Sequence, residues 1–426
     1  MRDKRRRAVE WGKNLLIVLL TLSALLLLSQ TPLVQDSGLT ELFRPGSSPG
    51  GASAELPQAE PILPVQLAVY LDGERCGLQY DGARMEELFS SFGPLLGEAL
   101  TGAGTPSALS EAEWHGCLQR PGVYFDFSGN IPLAALARWL GGGLCTIEDS
   151  ARRVALSAET DGHIVLCWQS AGDDGFYTCP TTLSRTLHLD PLMEAVSPNG
   201  AYFAFENPEL SQILEPCTLI IEGERSGAQY TASAPLSTAA GIEALLDALS
   251  FNSRNHAPSS RGEVYPDGSD RLVLRDNGTV VYHAAQGEKY PVENRNGVST
   301  AAQAADGARA LAERAMGALI GDARLYLLSV QEEEDSWRVR FGYRLEGSAV
   351  YLYDEGWAAE FLVQGGYITD FTLHLRSYTA DGNHTLLLPI DKAAAMLPDL
   401  TREKRELVIQ YRDSGGQTVI PGWEAV

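Results

Sequence analysis

The chain has 426 residues, 33 of them basic and 55 acidic, for a formal charge of −22. Its hydrophobic share of 44% suits a globular protein. So acidic a surface repels nucleic acid and phosphate-rich polymers, which argues against a DNA-binding role.

Residues 1–14 (MRDKRRRAVEWGKN) run against that balance, with Arg2, Lys4, Arg5, Arg6, Arg7 and Lys13 facing only Asp3 and Glu10. Without these six basic and two acidic residues the remainder carries 27 against 53, a formal −26. Residues 15–34 (LLIVLLTLSALLLLSQTPLV) are uncharged. Twenty helical residues reach about 30 Å, the thickness of a hydrocarbon core. The basic flank predicts a single transmembrane helix over 15–34 with residues 1–14 cytoplasmic, Trp11 at the interface, and the bulk extracytoplasmic at the cell membrane. A cleaved signal peptide is the competing reading. Ser29-Gln30-Thr31 is a poor cleavage site, which favours the uncleaved signal anchor. Residues 35–62, with GSSPGGASAELPQAEP, form a flexible linker spanning roughly 25–30 Å.

From Pro64 the pattern is paired strands with a few helices, and it contains an internal echo. Residues 67–80 (LAVYLDGERCGLQY) match residues 218–230 (TLIIEGERSGAQY), so that Gly77, Gln79 and Tyr80 correspond to Gly227, Gln229 and Tyr230. Each copy is expected to be strand, tight glycine turn, strand, followed by a helix over 85–100 or 239–250. Residues 122–127, 152–156 and 163–169 continue as strands. Residues 271–275 and 279–283 form a hairpin over Asp276-Asn277-Gly278. An Ala-rich helix over 300–320 turns Ala304, Ala308, Leu311, Ala315 and Leu319 to one face. Strands at 324–330 and 337–345 meet over the acidic turn Glu332-Glu333-Glu334-Asp335, and 349–353, 358–363 and 367–377 extend an antiparallel meander. A short helix covers 390–397, and 407–411 with 417–420 close a last hairpin. The fold class is α+β: one N-terminal transmembrane helix and an ectodomain of repeated antiparallel-sheet-and-helix modules. The expected divisions are an N-terminal domain at 63–216, a middle module at 217–298 and a C-terminal domain at 299–426.

No residue set signals catalysis, and no cofactor is expected. The turns Gly73-Glu74-Arg75 and Gly223-Glu224-Arg225 read as hairpin tips with solvated cross-strand ion pairs. In EAEWHGC, an extended segment would put Glu111, Glu113, His115 and Cys117 on one side. No second His or Cys cluster completes a metal site, so none is expected. Gly141-Gly142-Gly143 reads as a helix C-cap. Cys76, Cys117, Cys145, Cys167, Cys179 and Cys217 include no CxxC, and bridges and buried free thiols both stay open. Signatures of zinc proteases, P-loops and penicillin-binding enzymes (HExxH, GxxxxGK[ST], SxxK) are absent. A carboxylate pair acting on wall polymers leaves no spacing signature, so an envelope enzyme or envelope-ligand binding module is the alternative class.

The layout resembles the YycH/YycI regulators of the YycG (WalK) two-component system, and is closer to YycH. The resemblance rests on the basic tail with one helix at 2–28, the Arg152-Arg153-Val154 strand, Asn277-Gly278-Thr279-Val280-Val281-Tyr282, the region 357–371, and Tyr411 with Ile420-Pro421-Gly422-Trp423. It implies a YycI-like C-terminal domain and regulation rather than enzymatic activity. The implied partners are a YycG/WalK-like sensor histidine kinase and a YycI-like protein, contacted largely through transmembrane helices. Helix packing in lipid favours small and hydroxyl residues. The expected partner-binding face is therefore Thr21, Ser23 and Ala24, flanked by Leu16, Leu20 and Leu27.

Overall fold

The structure, a computed structural model, describes residues 62–260, 262–285, 288–352, 355–396 and 405–426. The expected tail, the helix over 15–34 with its face Leu16, Leu20, Thr21, Ser23, Ala24 and Leu27, and all but the last residue of the linker lie outside the described residues. Among the described residues, no helix is long and apolar enough to cross a membrane.

Seven strands build the first sheet: β1 (Gln66–Leu71), β2 (Glu74–Gln79), β3 (Ser107–Leu109), β4 (Gly122–Pro132), β5 (Ser150–Ala158), β6 (His163–Ser170) and β7 (Phe176–Ser184). They run in the order β2-β1-β4-β5-β6-β7-β3, every pair antiparallel. Both faces are covered, which explains apolar runs such as GVYFDF where a half-exposed strand would alternate. Val123 and Phe125 of β4, Val154 and Leu156 of β5, and Leu166 and Trp168 of β6 enter the main core. Their neighbours Tyr124, Ala155 and Cys167 point the other way, into a smaller cluster with Trp114, Phe203, Cys217 and Leu219.

Helices α1 (Gly82–Thr101) and α3 (Leu133–Trp139) pack on the main-core side, and α2 (Glu111–Cys117) packs on the other. Asp81 caps α1 by accepting from Arg84 N at 3.0 Å. Gly141, at φ +75°, ends α3, and Gly142 N donates to Ala137 O at 2.8 Å, the C-cap expected for this glycine run. The EAEWHGC segment is α2, not an extended stretch. A reciprocal cap between Ser110 and Glu113 starts it, so its acidic residues and His115 are distributed around a helix.

After α4 (Asp190–Met193), β8 (Tyr202–Phe203) pairs with β9 (Leu219–Ile220). Here the second copy of the echo departs from expectation. Gly223 keeps the positive φ of Gly73 (+125° against +114°), yet the next strand, β10 (Arg225–Ser233), does not fold back on β9. It pairs instead with β20 (Ser377–Leu387) and β22 (Thr418–Val419). Helix α5 (Ala239–Ala248) then follows as expected.

The third sheet holds β11 (Ala257–Ser259), β12 (Gly262–Asp267), β13 (Asp270–Leu274), β14 (Thr279–His283), β15 (Arg324–Glu333), β16 (Ser336–Leu345), β17 (Ser348–Leu352), β18 (Ala359–Gln364), β19 (Tyr367–His374), β21 (Leu407–Asp413) and β23 (Pro421–Ala425). The Asn277-Gly278 hairpin forms in register, with Leu272 opposite Tyr282 and Leu274 opposite Val280. β15 and β16 meet over the acidic turn, Glu333 opposite Ser336. β17 and β18 share one edge of β16 rather than pairing with each other. β21 joins β17 as a parallel neighbour. The last hairpin is β21 with β23, because β22 is drawn away to β10.

Helix α6 (Ala301–Met316) lies on β15, β16 and β18 and touches α3; α7 (Ile390–Ala395) is short. Ala304, Ala308, Leu311 and Ala315 are the buried face of α6, as the spacing predicts, while Leu319 falls beyond its end at Met316. Strand β15 also crosses β4 so closely that a Cβ on Gly129 would lie 1.8 Å from Leu327 O. Only glycine permits that approach.

Candidate functional site

The residues that stand out chemically lie where the first sheet meets the C-terminal strands. Asp126 is the one acid in the apolar run of β4, paired across the sheet with Arg153 of β5. Arg152 Nε and Nη2 donate to the two Asp126 carboxylate oxygens at 2.8 and 2.9 Å. Arg152 Nη2 also donates to Glu406 Oε1 at 2.7 Å. Arg153 Nη1 and Nη2 donate to the Glu215 carboxylate at 2.6 and 3.0 Å, and Nη2 reaches Glu406 Oε2 at 3.4 Å. Asp126 is fully buried, and Arg153 and Glu406 are nearly so. Asp126 also accepts from Ser128 N at 2.7 Å, which fixes the irregularity in β4 beside the Gly129 crossing.

Two guanidinium groups thus meet three carboxylates, with Asp126, Arg153 and Glu406 buried and Arg152 and Glu215 reaching the surface in part. Burial pushes the Asp126 carboxyl up, but Arg152 and Arg153 outweigh it and hold it below its ordinary range. For Glu215 burial prevails over Arg153, with Glu406 adding repulsion, and its carboxyl is raised. Arg344 of β16 makes a second link, donating to Leu63 O at 2.6 Å and to Phe127 O at 3.4 Å. Its burial without a carboxylate contact lowers its pKa to about 10.

The echo positions converge on the same junction. Tyr80 Oη accepts from Ile409 N of β21 at 3.1 Å, and Tyr230 meets Tyr411 of β21 edge to face at 5.5 Å. The glycines serve alike: a Cβ on Gly77 would come within 2.6 Å of Ala201 Cβ, and one on Gly227 within 2.6 Å of Pro421 Cγ. The repeated Gly-x-Gln-Tyr pattern therefore marks two strands crossed closely by later chain.

The Gly-Glu-Arg tips are not solvated ion pairs. Arg75 is buried, pairs with Glu206, 131 positions away, and donates to Leu118 O at 3.0 Å. Its guanidinium lies over the rings of Phe203 (4.6 Å) and Tyr70 (5.1 Å). Arg225 lies over the Tyr80 ring at 5.8 Å. A surface depression of about 400 Å³ opens beside Arg75, lined by Tyr70, Glu74, Tyr202 and Glu206. The two innermost charges in it are engaged with each other. No group of three or more His, Cys, Asp or Glu placed to hold a metal occurs among the described residues. All six cysteines are buried free thiols.

No protein-family model matches the chain, and none of the curated proteins matches it in sequence. Its three-dimensional structure is similar to the crystal structure of YycH from Bacillus subtilis. The match covers 86% of this chain and 94% of that one, with a TM-score of 0.55 and 10% identity. The fold is YycH-like. At that identity the likeness is one of fold. A protein from Eubacterium rectale, described as uncharacterized, matches over 47% of this chain and 76% of its own, with 11% identity and a TM-score of 0.29.

A YycH-like fold is thus present, and the structure places those of the motifs that fall within the described residues; the basic tail and helix at 2–28 lie outside them. Arg152 and Arg153 form the centre of the ionic junction. Asn277 and Gly278 make the β13–β14 turn. Trp357 packs edge to face on His374 at 4.6 Å. Tyr411 donates to Ala228 O at 3.0 Å, and Trp423 Nε1 donates to Leu388 O at 2.8 Å. Sequence reasoning missed Asp126, Glu215, Glu406 and the Arg75–Glu206 pair. An acid inside GVYFDF, facing Arg-Arg in the next strand, was the available signal for the first of these.

Proposed function

We propose that this chain is a membrane-anchored extracytoplasmic accessory protein that regulates a cell-wall sensor histidine kinase of the YycG/WalK type. The observation that carries the reading is the YycH-like fold over 86% of the chain. The N-terminal sequence supports it: residues 15–34 are an uncharged span behind a basic flank, joined to the folded part by a Gly/Ser/Pro-rich linker. Regulation then works by contact rather than by chemistry. The helix presents Leu16, Leu20, Thr21, Ser23, Ala24 and Leu27 to the transmembrane helices of the kinase, where small residues allow close approach. The folded part contributes further contacts and accommodates a YycI-like partner.

Co-purification tests this. The full-length chain and a YycG/WalK-type sensor kinase of the same organism are expressed together and extracted in mild detergent, with kinase output followed in cells with and without this gene. Association in the membrane together with a changed kinase output is expected. A kinase that neither associates with the chain nor responds to loss of the gene overturns the proposal.

A further inference from the structure

We propose that Cys117 and Cys167 are a redox modification site, forming a reversible disulfide that fastens helix α2 to strand β6. The two sulfurs are in direct contact, Cys167 Sγ to Cys117 Sγ 3.2 Å. A disulfide needs about 2.05 Å, so they have to close by only about 1 Å. Cys117 is the last residue of α2, and Cys167 lies mid-strand on the face of β6 that α2 covers. The contact therefore joins two elements that are 50 positions apart in the chain.

The surroundings give the two thiols different roles. Arg120 Nη2 lies 3.3 Å from Cys117 Sγ. The hydrogen bond from Cys167 and the Arg120 charge outweigh burial and hold the Cys117 thiol below its ordinary range. The Cys167 thiol is pushed well above its own by donating to Cys117 and by burial. Cys117, itself buried, borders a narrow recess shared with Tyr70, Arg75 and Arg120, while Cys167 is fully enclosed, so Cys117 is the thiol reached when the C-terminal end of α2 opens locally. Cys117 is the thiolate that attacks first and Cys167 the resolving thiol.

The oxidant is a low-molecular-weight disulfide. The Cys117 thiolate attacks one of its sulfurs, the disulfide bond breaks, and one small thiolate leaves and takes up a proton. Cys167 then gives up its proton, attacks Cys117 Sγ and expels the second small thiol. Two protein thiols are oxidised and one small disulfide is reduced to two thiols.

This inference goes beyond the regulator reading and is tested without the kinase. The full-length chain in detergent is equilibrated in glutathione buffers of graded redox ratio, quenched with acid, alkylated and digested for mass spectrometry. In oxidising buffer a linked peptide pair containing Cys117 and Cys167 is expected, lighter by two hydrogens and restored to two thiols by reduced glutathione. In Cys167→Ser, Cys117 should carry glutathione; in Cys117→Ser, Cys167 should stay unmodified. The proposal is overturned if wild-type protein keeps both thiols in the most oxidising buffer. A stable glutathione adduct on Cys117 with Cys167 free, or a bridge that uses another cysteine, overturns it equally. The wild-type measurement decides the matter even where a variant misfolds.

Discussion

Arg152 and Glu406 stand 254 positions apart in the chain and 2.7 Å apart in the fold. Their contact ties the first sheet to the segment that leads into β21. It belongs to a network in which Asp126, Arg153 and Glu406 are buried and Arg152 and Glu215 are partly exposed at its margin. Such a network contributes little net stability over an apolar filling, but the loss of one member leaves a buried charge uncompensated.

Replacing Glu406 by Gln weakens two charge-assisted hydrogen bonds but leaves Arg152 on Asp126 and Arg153 on Glu215, so it is expected to destabilise the folded part by about 2 kcal/mol. Denaturant unfolding of the full-length protein measures this. Replacing Arg152 by Met in the same chain should deepen the loss, since buried Asp126 then forfeits its bidentate partner. A single-variant loss below about 1 kcal/mol would show that the network is hydrated and weak.

The same network sets an acid limit. Asp126 is held below its ordinary range in the folded state. The stability it contributes is fully present above the unfolded value of about 3.9 and is lost as pH falls through the lower folded value. Glu215 is raised and acts with the opposite sign: its share declines as pH rises through its folded value. Unfolding followed from neutral pH downward should show the acid-side decline in wild type and a flatter curve in Asp126→Asn. An unchanged curve would remove Asp126 from the account.

Gly129 admits no side chain, because Leu327 O occupies the space. Gly129→Ala should cost at least about 2 kcal/mol, as strands β4 and β15 must separate or shift. A melting curve of the variant that overlays wild type would mean the crossing is looser than described.

Within the proposed membrane face, Ser23→Leu with Ala24→Leu should weaken association with the kinase while leaving membrane insertion intact. Bulk at small positions separates helix backbones, an effect of roughly 1–2 kcal/mol, or about tenfold in affinity. Two-hybrid signal and detergent co-purification read it. Equal association by the double variant would move the contact away from this face of the helix.

The local parts of this fold were legible in sequence because short-range physics encodes them. Asn277-Gly278 demanded a hairpin turn, and the alanine spacing of residues 304–315 demanded a buried helix face. Helix α2 is encoded by the capping signature of Ser110 and Glu113, against an i, i+2 alternation of Glu111, Glu113, His115 and Cys117 that an extended segment would share. What stayed hidden depends on distant partners. Nothing near Arg75 announces Glu206, and nothing in the charged stretch before Leu407 announces that Glu406 is buried. The second echo copy was misread because a glycine turn specifies a reversal of direction, not which strand receives the next one. There β20 and β22 outcompeted β9.

The ionic junction also carries information about order of manufacture. A ribosome delivers Asp126, Arg152 and Arg153 long before Glu406. Until Glu406 emerges, Asp126 and Glu215 already balance the two arginines in number, but the seam has no final strand to close it. The nascent N-terminal part is accordingly a waiting template, and arrival of the final strands is the event that completes the seam. A chain interrupted before Glu406 therefore carries a charge-balanced but unsealed edge.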